Sequence, residues 1–406
     1  MTAPVLPRLL APHAHAHARV LHRGDDLIEA VAAAGLRGRG GAGFPTAVKL
    51  RAVAAARGRR ALVVNGAEGE PMSAKDSQLW EMAPQLVLDG AALAAEAVGA
   101  REVVVAVKRS AWPAQQALSR ALVVRRDAIR MSVRTVPDAY VAGEETALLS
   151  ALNGGPAKPS LALRRPYERG LARRPTLVCN VETLAHVALI ARHGAPWFRE
   201  LGTAEHPGSA LVTLGGAVAR PGVYEIALGT PAAQVIESAG GLRAPLRALL
   251  VGGYYGAWLP AEAIASRLDD RSLGEWDAAL GAGTVVALPA DACPVAEVAR
   301  VIGWMAGESA GQCGPCVHGL DAIAGALASL AAGTPDGGVI SRLQRWCGQV
   351  TGRGACHHPD GVVRFVRSAL DVFADEFEDH RGYGPCDACA RRPVLAVHDR
   401  RQRVAA

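Results

Sequence analysis

Short apolar segments alternate with helix-like segments over the first half of the chain, and this alternation restricts the fold more than any other feature. Residues 61–65, 103–107 and 129–136 are rich in valine and of strand length. Helical patterns follow the first two, near Lys75 and at Pro113. Such alternation predicts a mainly parallel sheet with helices on its faces. Because 406 residues exceed what one hydrophobic core usually serves, we expect about two to four domains.

A glycine-rich basic stretch, residues 35–49, precedes the first strand and contains five glycines. Its three cations are Arg37, Arg39 and Lys49. Glycine permits a left-handed backbone and leaves main-chain N–H groups open to an anion. Gly38, Gly40 and Gly43 have the GxGxxG spacing, but a helical pattern precedes them and Pro45 follows, unlike a dinucleotide-binding loop. The residues alone leave both a phosphate-binding loop and a flexible basic loop open.

Pairs of carboxylates lie at the ends of two predicted elements. Glu68 and Glu70 follow the strand over 61–65, and Glu144 and Glu145 open a predicted helix. Acidic residues in the first turn of a helix are favoured by the helix dipole, so capping explains one member of the second pair. The other member is a candidate binding residue.

Six of the eight cysteines lie in the last quarter of the chain. Apart from Cys347, they are Cys313, Cys316, Cys356, Cys386 and Cys389, and they include two CxxC pairs. In a chain that shows no signal peptide, this pattern favours metal or redox chemistry over disulfides. The first CxxC pair is predicted at the end of the first bundle helix, which begins near Pro294, and with a distant third thiolate it can hold a metal or a cluster. The second pair leaves four interpretations open: a redox pair, half a zinc site, a ligand donated to the first site, or no role.

Composition excludes several classes of function. The net charge of +6 is small and dispersed, and no pattern of interleaved aromatic and basic residues supports nucleic-acid binding. No apolar run is long enough to span a membrane, so we expect a cytoplasmic chain, with attachment to the inner membrane face through partners left open. Residues 1–24 are expected to form an N-terminal arm, and its first twenty residues are expected to be loose. Its histidines, His13, His15 and His17, favour a solvated tail over a metal site.

Three motifs, together with residues 35–49, resemble the flavoprotein (F) subunit of NADH–quinone oxidoreductase, respiratory complex I, whose relatives occur in NAD-linked hydrogenases and formate dehydrogenases. They are Asn65-Gly66-Ala67-Glu68-Gly69-Glu70-Pro71, Gly143-Glu144-Glu145-Thr146 and Cys179-Asn180-Val181-Glu182-Thr183-Leu184. The similarity runs in order from about Asp26 to His380. It implies an α/β protein: a Rossmann-like FMN domain, a small β-grasp (α+β) domain of the SLBB type, and a C-terminal four-helix bundle.

The resemblance also implies roles for individual residues. The residues expected to contact the flavin or its phosphate are Gly38, Arg39, Gly40, Lys49, Asn65, Glu144 and Asn180. Cofactor contacts are further expected at Glu68, Gly143, Cys179 and Thr183. The residues expected to face NADH are Gly41, Phe44, Glu70 and Glu145, of which Glu70 and Glu145 position the nicotinamide for catalysis. These roles require residues 35–49 to lie close to Glu145 and Asn180.

The metal motif departs from the family pattern. Glu308-Ser309-Ala310-Gly311-Gln312-Cys313-Gly314-Pro315-Cys316 resembles the cluster motif E-S-C-G-x-C-x-P-C, and Gly354-Ala355-Cys356 matches its distal ligand. Ala310 replaces the first cysteine, so Cys313, Cys316 and Cys356 give a [4Fe–4S] cluster three of its usual four thiolates. Four alternatives stay open: a fourth bond from His357 or His358, a three-iron or solvent-ligated cluster, a zinc ion, or no metal. Ala67, Cys179 and Arg165 also depart from the family, which usually has Asp, Asn and an aromatic residue there.

We therefore expect five parts: an arm (1–24), an FMN- and NADH-binding domain (25–205), an SLBB domain (206–290), an iron–sulfur-binding bundle (291–380) and a basic CxxC tail (381–406). The expected activity is NADH dehydrogenase, with electrons passing from NADH through FMN and an iron–sulfur centre to a redox partner protein or other subunits. The alternatives are an electron-transfer subunit that no longer oxidises NADH and a zinc-stabilised flavin-binding scaffold.

Overall fold

A computed structural model describes residues 6–12, 20–161 and 164–397 of the chain, which form two compact units. The first unit comprises the described residues up to 69, with 73–212 and 223–230, and the second comprises 70–72, 213–222 and those from 231 onward. His13, His15 and His17 lie outside the described residues. None of the described helices is long and apolar enough to cross a membrane.

Helices and parallel strands alternate in the first unit, as the sequence predicts. Its elements are α1 (Gly24–Ala34), α2 (Thr46–Ala54), β1 (Arg60–Gly66), α3 (Lys75–Met82), α4 (Pro84–Val98), β2 (Ala100–Lys108), α5 (Trp112–Val123), β3 (Arg130–Val136), α6 (Glu145–Leu152), β4 (Thr176–Asn180) and α7 (Val181–Arg199). The sheet has the order β3-β2-β1-β4, and each neighbouring pair of strands is parallel. Alternate residues of β1 enter two apolar clusters, Leu62 and Val64 one and Ala61 and Val63 the other, so helices cover both faces.

A second sheet, with five strands, and a group of helices follow. The elements are β5 (Ser209–Gly216), β6 (Gly222–Ala227), α8 (Ala232–Ser238), β7 (Leu246–Val251), β8 (Ala257–Pro260), α9 (Asp270–Gly274), β9 (Thr284–Pro289), α10 (Pro294–Gly307), α11 (Asp321–Ala331), α12 (Val339–Val350), α13 (His358–Val372) and α14 (Ala374–Tyr383). The sheet order is β6-β5-β9-β7-β8, with β5 and β9 parallel and β7 antiparallel to both β8 and β9. The predicted fold class, a Rossmann-like domain followed by a β-grasp domain and a helical bundle, is confirmed.

Two local expectations for the bundle are wrong. The apolar pattern over 363–377 predicts one helix, but Phe373 has a non-helical backbone (φ −117°, ψ 32°) and separates α13 from α14. The first CxxC pair is expected at the end of the first bundle helix, yet α10 ends at Gly307. Cys316 lies instead in a π-helical turn, Pro315–Leu320, that leads into α11.

The arm is not loose where the structure describes it. The Glu225 carboxylate accepts hydrogen bonds from the main-chain N–H groups of Arg8 and Leu9, both at 2.7 Å. Leu9 is fully buried, and the Arg8 guanidinium lies 3.7 Å from the centre of the Trp197 ring. Two interactions hold this segment: burial of apolar side chains, and a carboxylate that accepts from consecutive N–H groups. The prediction of a solvated arm is therefore wrong over residues 8–10.

Candidate functional site

The carboxyl ends of β1 and β4 meet where the strand order of the first sheet reverses. From β1 the chain passes to β2 and β3 on one side and returns to β4 on the other. Asn65 and Asn180, which lie at the carboxyl ends of these strands, are direct neighbours in the parallel register. In open α/β sheets the crevice beyond such a reversal is the usual ligand site. The structure thus brings together two of the residues predicted to contact the flavin.

The glycine loop, residues 35–49, closes over this point. Arg37 and Pro45 form an antiparallel bridge, and the Gly38 N–H donates to the Phe44 carbonyl at 2.8 Å. Gly41 (φ 109°) and Gly43 (φ 61°) have left-handed backbones that other residues rarely adopt.

Contacts from this loop reach the end of β4 and the start of α6. The Arg39 N–H donates to the Thr183 hydroxyl at 2.9 Å. A Cβ added to Gly40 would lie 3.2 Å from the Asn180 Cβ. Lys49 Nζ, in the first turn of α2, lies 3.2 Å from Glu145 Oε1. The expected proximity of residues 35–49 to Glu145 and Asn180 is therefore observed.

A buried ionic network lies beside Asn180. Lys75 Nζ is 2.7 Å from Asp76 Oδ1 and 3.0 Å from Glu182 Oε2, and all three side chains are almost fully buried. The Asn180 amide donates to Asp76 Oδ2 at 2.6 Å, and Arg39 Nε lies 3.9 Å from Glu182 Oε1. Lys75, Asp76 and Glu182 are not among the site residues that the sequence predicts. The signal that could have indicated them is an adjacent pair of opposite charges directly after the carboxylate-bearing turn.

Burial and mutual attraction set the charges of this network. Burial raises the pKa of the Glu182 carboxyl, but the Lys75 ammonium, then His186 and Arg39, outweigh it and lower the pKa to about 2. Burial lowers the pKa of Lys75, but Asp76 and Glu182 outweigh it and raise the pKa above its ordinary value. Lys75 and Glu182 are therefore both charged at neutral pH.

The N-terminus of α7 lies at the same crevice. Asn180 is the N-cap of α7, and its side chain accepts a hydrogen bond from the Glu182 N–H at 3.0 Å. The N-terminus of a helix attracts anions through its N–H groups and its dipole. Since the buried side-chain charges largely offset one another, the glycine loop and this helix end are the main features that favour a phosphate group.

Three of the predicted carboxylates have defined partners within the first unit. Glu68 accepts hydrogen bonds from Ser73, Asp76 and Ser77 around the start of α3. Glu144 is the N-cap of α6 and accepts from the Thr146 and Ala147 N–H groups, both at 2.9 Å. Capping thus accounts for Glu144, as the sequence argument allows for one of the pair, and leaves Glu145 about one-third exposed beside Lys49.

The remaining predicted contacts lie in different surroundings. The Asn65 amide donates to the Gly143 carbonyl at 2.9 Å and so ties the end of β1 to the turn before α6. Phe44 is half-exposed, whereas Cys179 lies in the apolar core, where burial raises the pKa of its thiol to about 11. Glu70 belongs to the second unit; its buried carboxylate accepts from the Tyr254 N–H at 2.7 Å.

The three predicted cluster thiols lie near one another in the second unit. Burial, then the charges of Cys313 and Cys356, raise the pKa of Cys316 to about 12. Burial also tends to raise the pKa of Cys313, but the N–H groups of Ala355 and Cys316 outweigh it and lower that pKa. Ala355 directly precedes Cys356, so the distal segment contacts the CxxC turn. Cys313 and Cys316 therefore interact with each other and with the segment that carries Cys356.

Neither histidine is well placed to provide a fourth bond. His358 is buried, with Nδ1 2.7 Å from the Tyr255 hydroxyl and Nε2 3.0 Å from the Met305 carbonyl oxygen, so both ring nitrogens are engaged. Burial lowers its pKa to about 4, which keeps the ring neutral. The His357 side chain is 98% exposed, with Nδ1 3.9 Å from Asp360. The thiols of Cys386 and Cys389 lie beside Cys293 and His380 instead.

Comparisons with known proteins agree with this geometry. The Nuo51 FMN-binding domain family matches residues 31–189, the SLBB domain residues 211–253, and the NADH-ubiquinone oxidoreductase-F iron-sulfur binding region residues 296–380. The second NADH-quinone oxidoreductase F subunit of Rhizobium meliloti (strain 1021) is 33% identical over 88% of this chain and 89% of its own length. This chain belongs to the family of NADH-quinone oxidoreductase F subunits.

A further relative and a solved structure extend the match. The NADH-quinone oxidoreductase F subunit of Streptomyces coelicolor is 32% identical over 88% of this chain and 83% of its own length. A chain of the NAD+-reducing [NiFe]-hydrogenase in the H2-reduced state superimposes with a TM-score of 0.81 at 34% identity. That match covers 88% of this chain and 62% of the hydrogenase chain. The iron–sulfur region that the family match covers ends at residue 380, before Cys386 and Cys389.

Proposed function

We propose that this chain is the flavoprotein component of an NADH-oxidising complex, in which electrons pass from NADH through FMN to an iron–sulfur centre and a partner protein. The observation that carries the proposal is the close approach of the glycine loop to Asn180, the register neighbour of Asn65, where the strand order reverses. Family membership supports the same activity.

The residues present fit FMN. Main-chain N–H groups of the glycine loop and the start of α7 suit the phosphate, and a Cβ on Gly40 would intrude on Asn180. Arg39 is fixed by its N–H bond to Thr183 and by its guanidinium, which donates to the Ser209 carbonyl at 3.0 Å. When bound, FMN accepts a hydride from NADH and releases electrons singly. The protein supplies binding and orientation.

The nicotinamide side of the site is assigned to Gly41, Phe44 and Glu145, with Glu70 in the same role. Phe44 is half-exposed, and Glu145 and Lys49 are each about one-third exposed, so their side chains are accessible to a ligand. Lys49 holds the Glu145 carboxylate in place. Glu70 is fixed by the Tyr254 and Met72 N–H groups at 2.7 and 3.2 Å. A fixed carboxylate loses little freedom when it orients a substrate.

Electrons leave the flavin through the centre assigned to Cys313, Cys316 and Cys356. These three cysteines interact with one another and Ala310 cannot coordinate, so an iron–sulfur centre here would have three protein thiolates. Because the relatives are named as subunits of larger enzymes, other subunits are the proposed acceptors, and the cytoplasm is the proposed location.

An anaerobic reduction experiment tests this function. The purified chain, supplied with FMN and iron, is mixed with NADH, and the flavin absorbance is followed; dithionite provides full reduction as the control. We expect NADH to bleach the flavin to the level that dithionite reaches. Bleaching by dithionite alone would contradict NADH oxidation and favour a subunit that only transfers electrons. Zinc without iron or acid-labile sulfide would favour the flavin-binding scaffold.

A further inference from the structure

Four metal-ligating side chains converge in the second unit, apart from the three thiols assigned to the iron–sulfur centre. Cys293 is the N-cap of α10, and His380 lies in the last turn of α14. Cys386 and Cys389 belong to a 3₁₀ turn, Asp387–Ala390, and its N-cap, just beyond that helix. The ligand atoms of all four lie within 4.8 Å of one another. We propose that Cys293, His380, Cys386 and Cys389 bind one structural zinc ion.

The distances match the edges of a tetrahedron around a single ion. The sulfur of Cys389 lies 3.8 Å from that of Cys386 and 3.4 Å from that of Cys293. His380 Nε2 lies 3.5 Å from the Cys293 sulfur and 3.9 Å from the Cys389 sulfur. Tetrahedral Zn²⁺, with bonds of about 2.3 Å to sulfur and 2.0–2.1 Å to nitrogen, places its ligands roughly 3.5–3.8 Å apart.

The surroundings orient the ligands before any ion binds. His380 is buried, and its Nδ1 lies 3.4 Å from the Leu330 carbonyl oxygen. A proton held on Nδ1 by that carbonyl leaves the Nε2 lone pair facing the thiols, as is usual for a zinc-bound histidine. The Ala296 N–H donates to the Cys293 sulfur at 3.4 Å, which supports a thiolate there.

The chain around the second CxxC pair is shaped for this position. Gly384, which ends α14, has a φ of 85°, a conformation that favours glycine and turns the chain back toward the bundle. A Cβ on Gly333 (φ 71°) would lie 2.5 Å from Pro385, so glycine permits the close approach of this segment. The position of the CxxC pair is therefore set by backbone packing as well as by its thiols.

The donor set and its spacing favour zinc over other occupants. Three cysteines and one histidine that close all four positions are typical of structural zinc sites. An iron–sulfur cluster is larger than one ion and holds its cysteines farther apart. The 3.8 Å between the sulfurs of Cys386 and Cys389 is far from the roughly 2.05 Å of a disulfide. The zinc site is thus distinct from the centre at Cys313, Cys316 and Cys356.

A zinc ion here would fasten the C-terminal segment to α10. Beyond the CxxC pair, the N–H groups of Val394 and Leu395 donate to the Glu297 carboxylate at 2.6 and 3.1 Å, and Leu395 is buried. The segment then reaches Tyr254, whose hydroxyl donates to the Ala396 carbonyl. Since the Tyr254 N–H donates to Glu70, the site would help to hold the surroundings of a residue assigned to NADH.

Metal analysis of the full-length chain tests the proposal. Zinc and iron are measured in the wild type, in Cys389→Ser and in two controls: Cys347→Ala, which removes a buried thiol outside both sites, and Cys316→Ser, which removes a thiol of the other centre. We expect one zinc per wild-type chain, at least about a tenfold loss in Cys389→Ser, and retention of zinc in both controls. Cys316→Ser should lose iron instead.

Cobalt substitution keeps the test independent of how the variant folds. The wild-type chain, depleted of zinc and loaded with Co²⁺, should show the intense visible bands of a tetrahedral thiolate site, and zinc should abolish them. Wild-type protein without zinc, zinc retained in Cys389→Ser, iron bound at this site, or a Cys386–Cys389 disulfide in protein grown with zinc would each overturn the proposal. The separate iron and flavin measurements keep this outcome distinct from a failure of NADH oxidation.

Discussion

The proposed flavin site and the proposed cysteine sites of this chain would hold their ligands by different means. The proposed flavin site combines a loop with left-handed glycines and a buried network of charges. At the proposed cysteine sites, individual side chains would make the bonds to metal. A crevice made by the backbone tolerates changes such as Ala67, provided that no side chain fills it. A thiolate site depends on each ligand, so Ala310 changes the chemistry directly.

The largest effect is expected from removing a cluster ligand. Cys316→Ser leaves two of the three thiolates, so iron and acid-labile sulfide should fall to background and electron transfer to a one-electron acceptor should be lost. Reduction of the flavin by NADH should persist, because Cys316 is not among the residues assigned to the flavin or to NADH. Metal analysis and anaerobic spectra measure both, with Cys347→Ala as a matched buried thiol. Iron retained in Cys316→Ser would contradict the assignment.

Glu182→Gln probes the charges that support the flavin site. Removing one partner of a buried ion pair should lower the free energy of unfolding by about 3 kcal/mol. Because the folded pKa is lowered from 4.5 to about 2, the stabilisation is complete above pH 4.5 and is lost as the pH falls toward 2. The variant should lack this acid dependence in denaturant titrations.

An exposed pair provides the control for Glu182→Gln. Glu29 pairs with Arg51 at 2.8 Å but is 68% exposed, so Glu29→Gln should change stability by less than about 1 kcal/mol. Equal effects of the two substitutions would mean that the buried network contributes no more than a surface ion pair.

Gly40→Val tests whether the backbone crevice must stay open. Gly40 has no left-handed backbone, so the effect should come from the space beside Asn180, where an added Cβ would lie at 3.2 Å. We expect FMN to bind about 100-fold more weakly, as when a bound group is misplaced by an ångström. Titration with FMN, followed by its fluorescence, gives the dissociation constant. Gly325→Val, on an open helix surface, should bind FMN like the wild type; equal loss in both would refute the crevice.

The smallest effect is expected at Glu145. Glu145→Gln should raise the KM for NADH about tenfold with little change in kcat, which corresponds to the loss of one charge-assisted hydrogen bond. Steady-state kinetics measure both constants. Glu102, which pairs with Arg174 at 2.6 Å with similar exposure, provides the control Glu102→Gln. An unchanged KM in Glu145→Gln would remove this residue from the nicotinamide site.

Local sequence patterns predicted the strands and turns. Valine-rich runs predicted β1 and β2, and the polar motifs that end β1 and β4 indicated a binding edge. Asn65 and Asn180 are neighbours in the strand register. Local sequence could not predict this, because strand order depends on contacts between distant segments. Burial of Lys75, Asp76 and Glu182 was missed for the same reason: charged residues are usually exposed, and only the packed fold shows where they are paired.

The family, the alternation of strands and helices and the glycine loop could all be predicted from the residues alone, since each is a property of neighbouring residues or of the order of motifs along the chain. The folded chain was needed to show that Cys293 and His380, 87 residues apart, join the second CxxC pair, and that His358 is engaged by Tyr255 and Met305. A metal site requires ligand atoms within a few ångströms, and packing sets that distance.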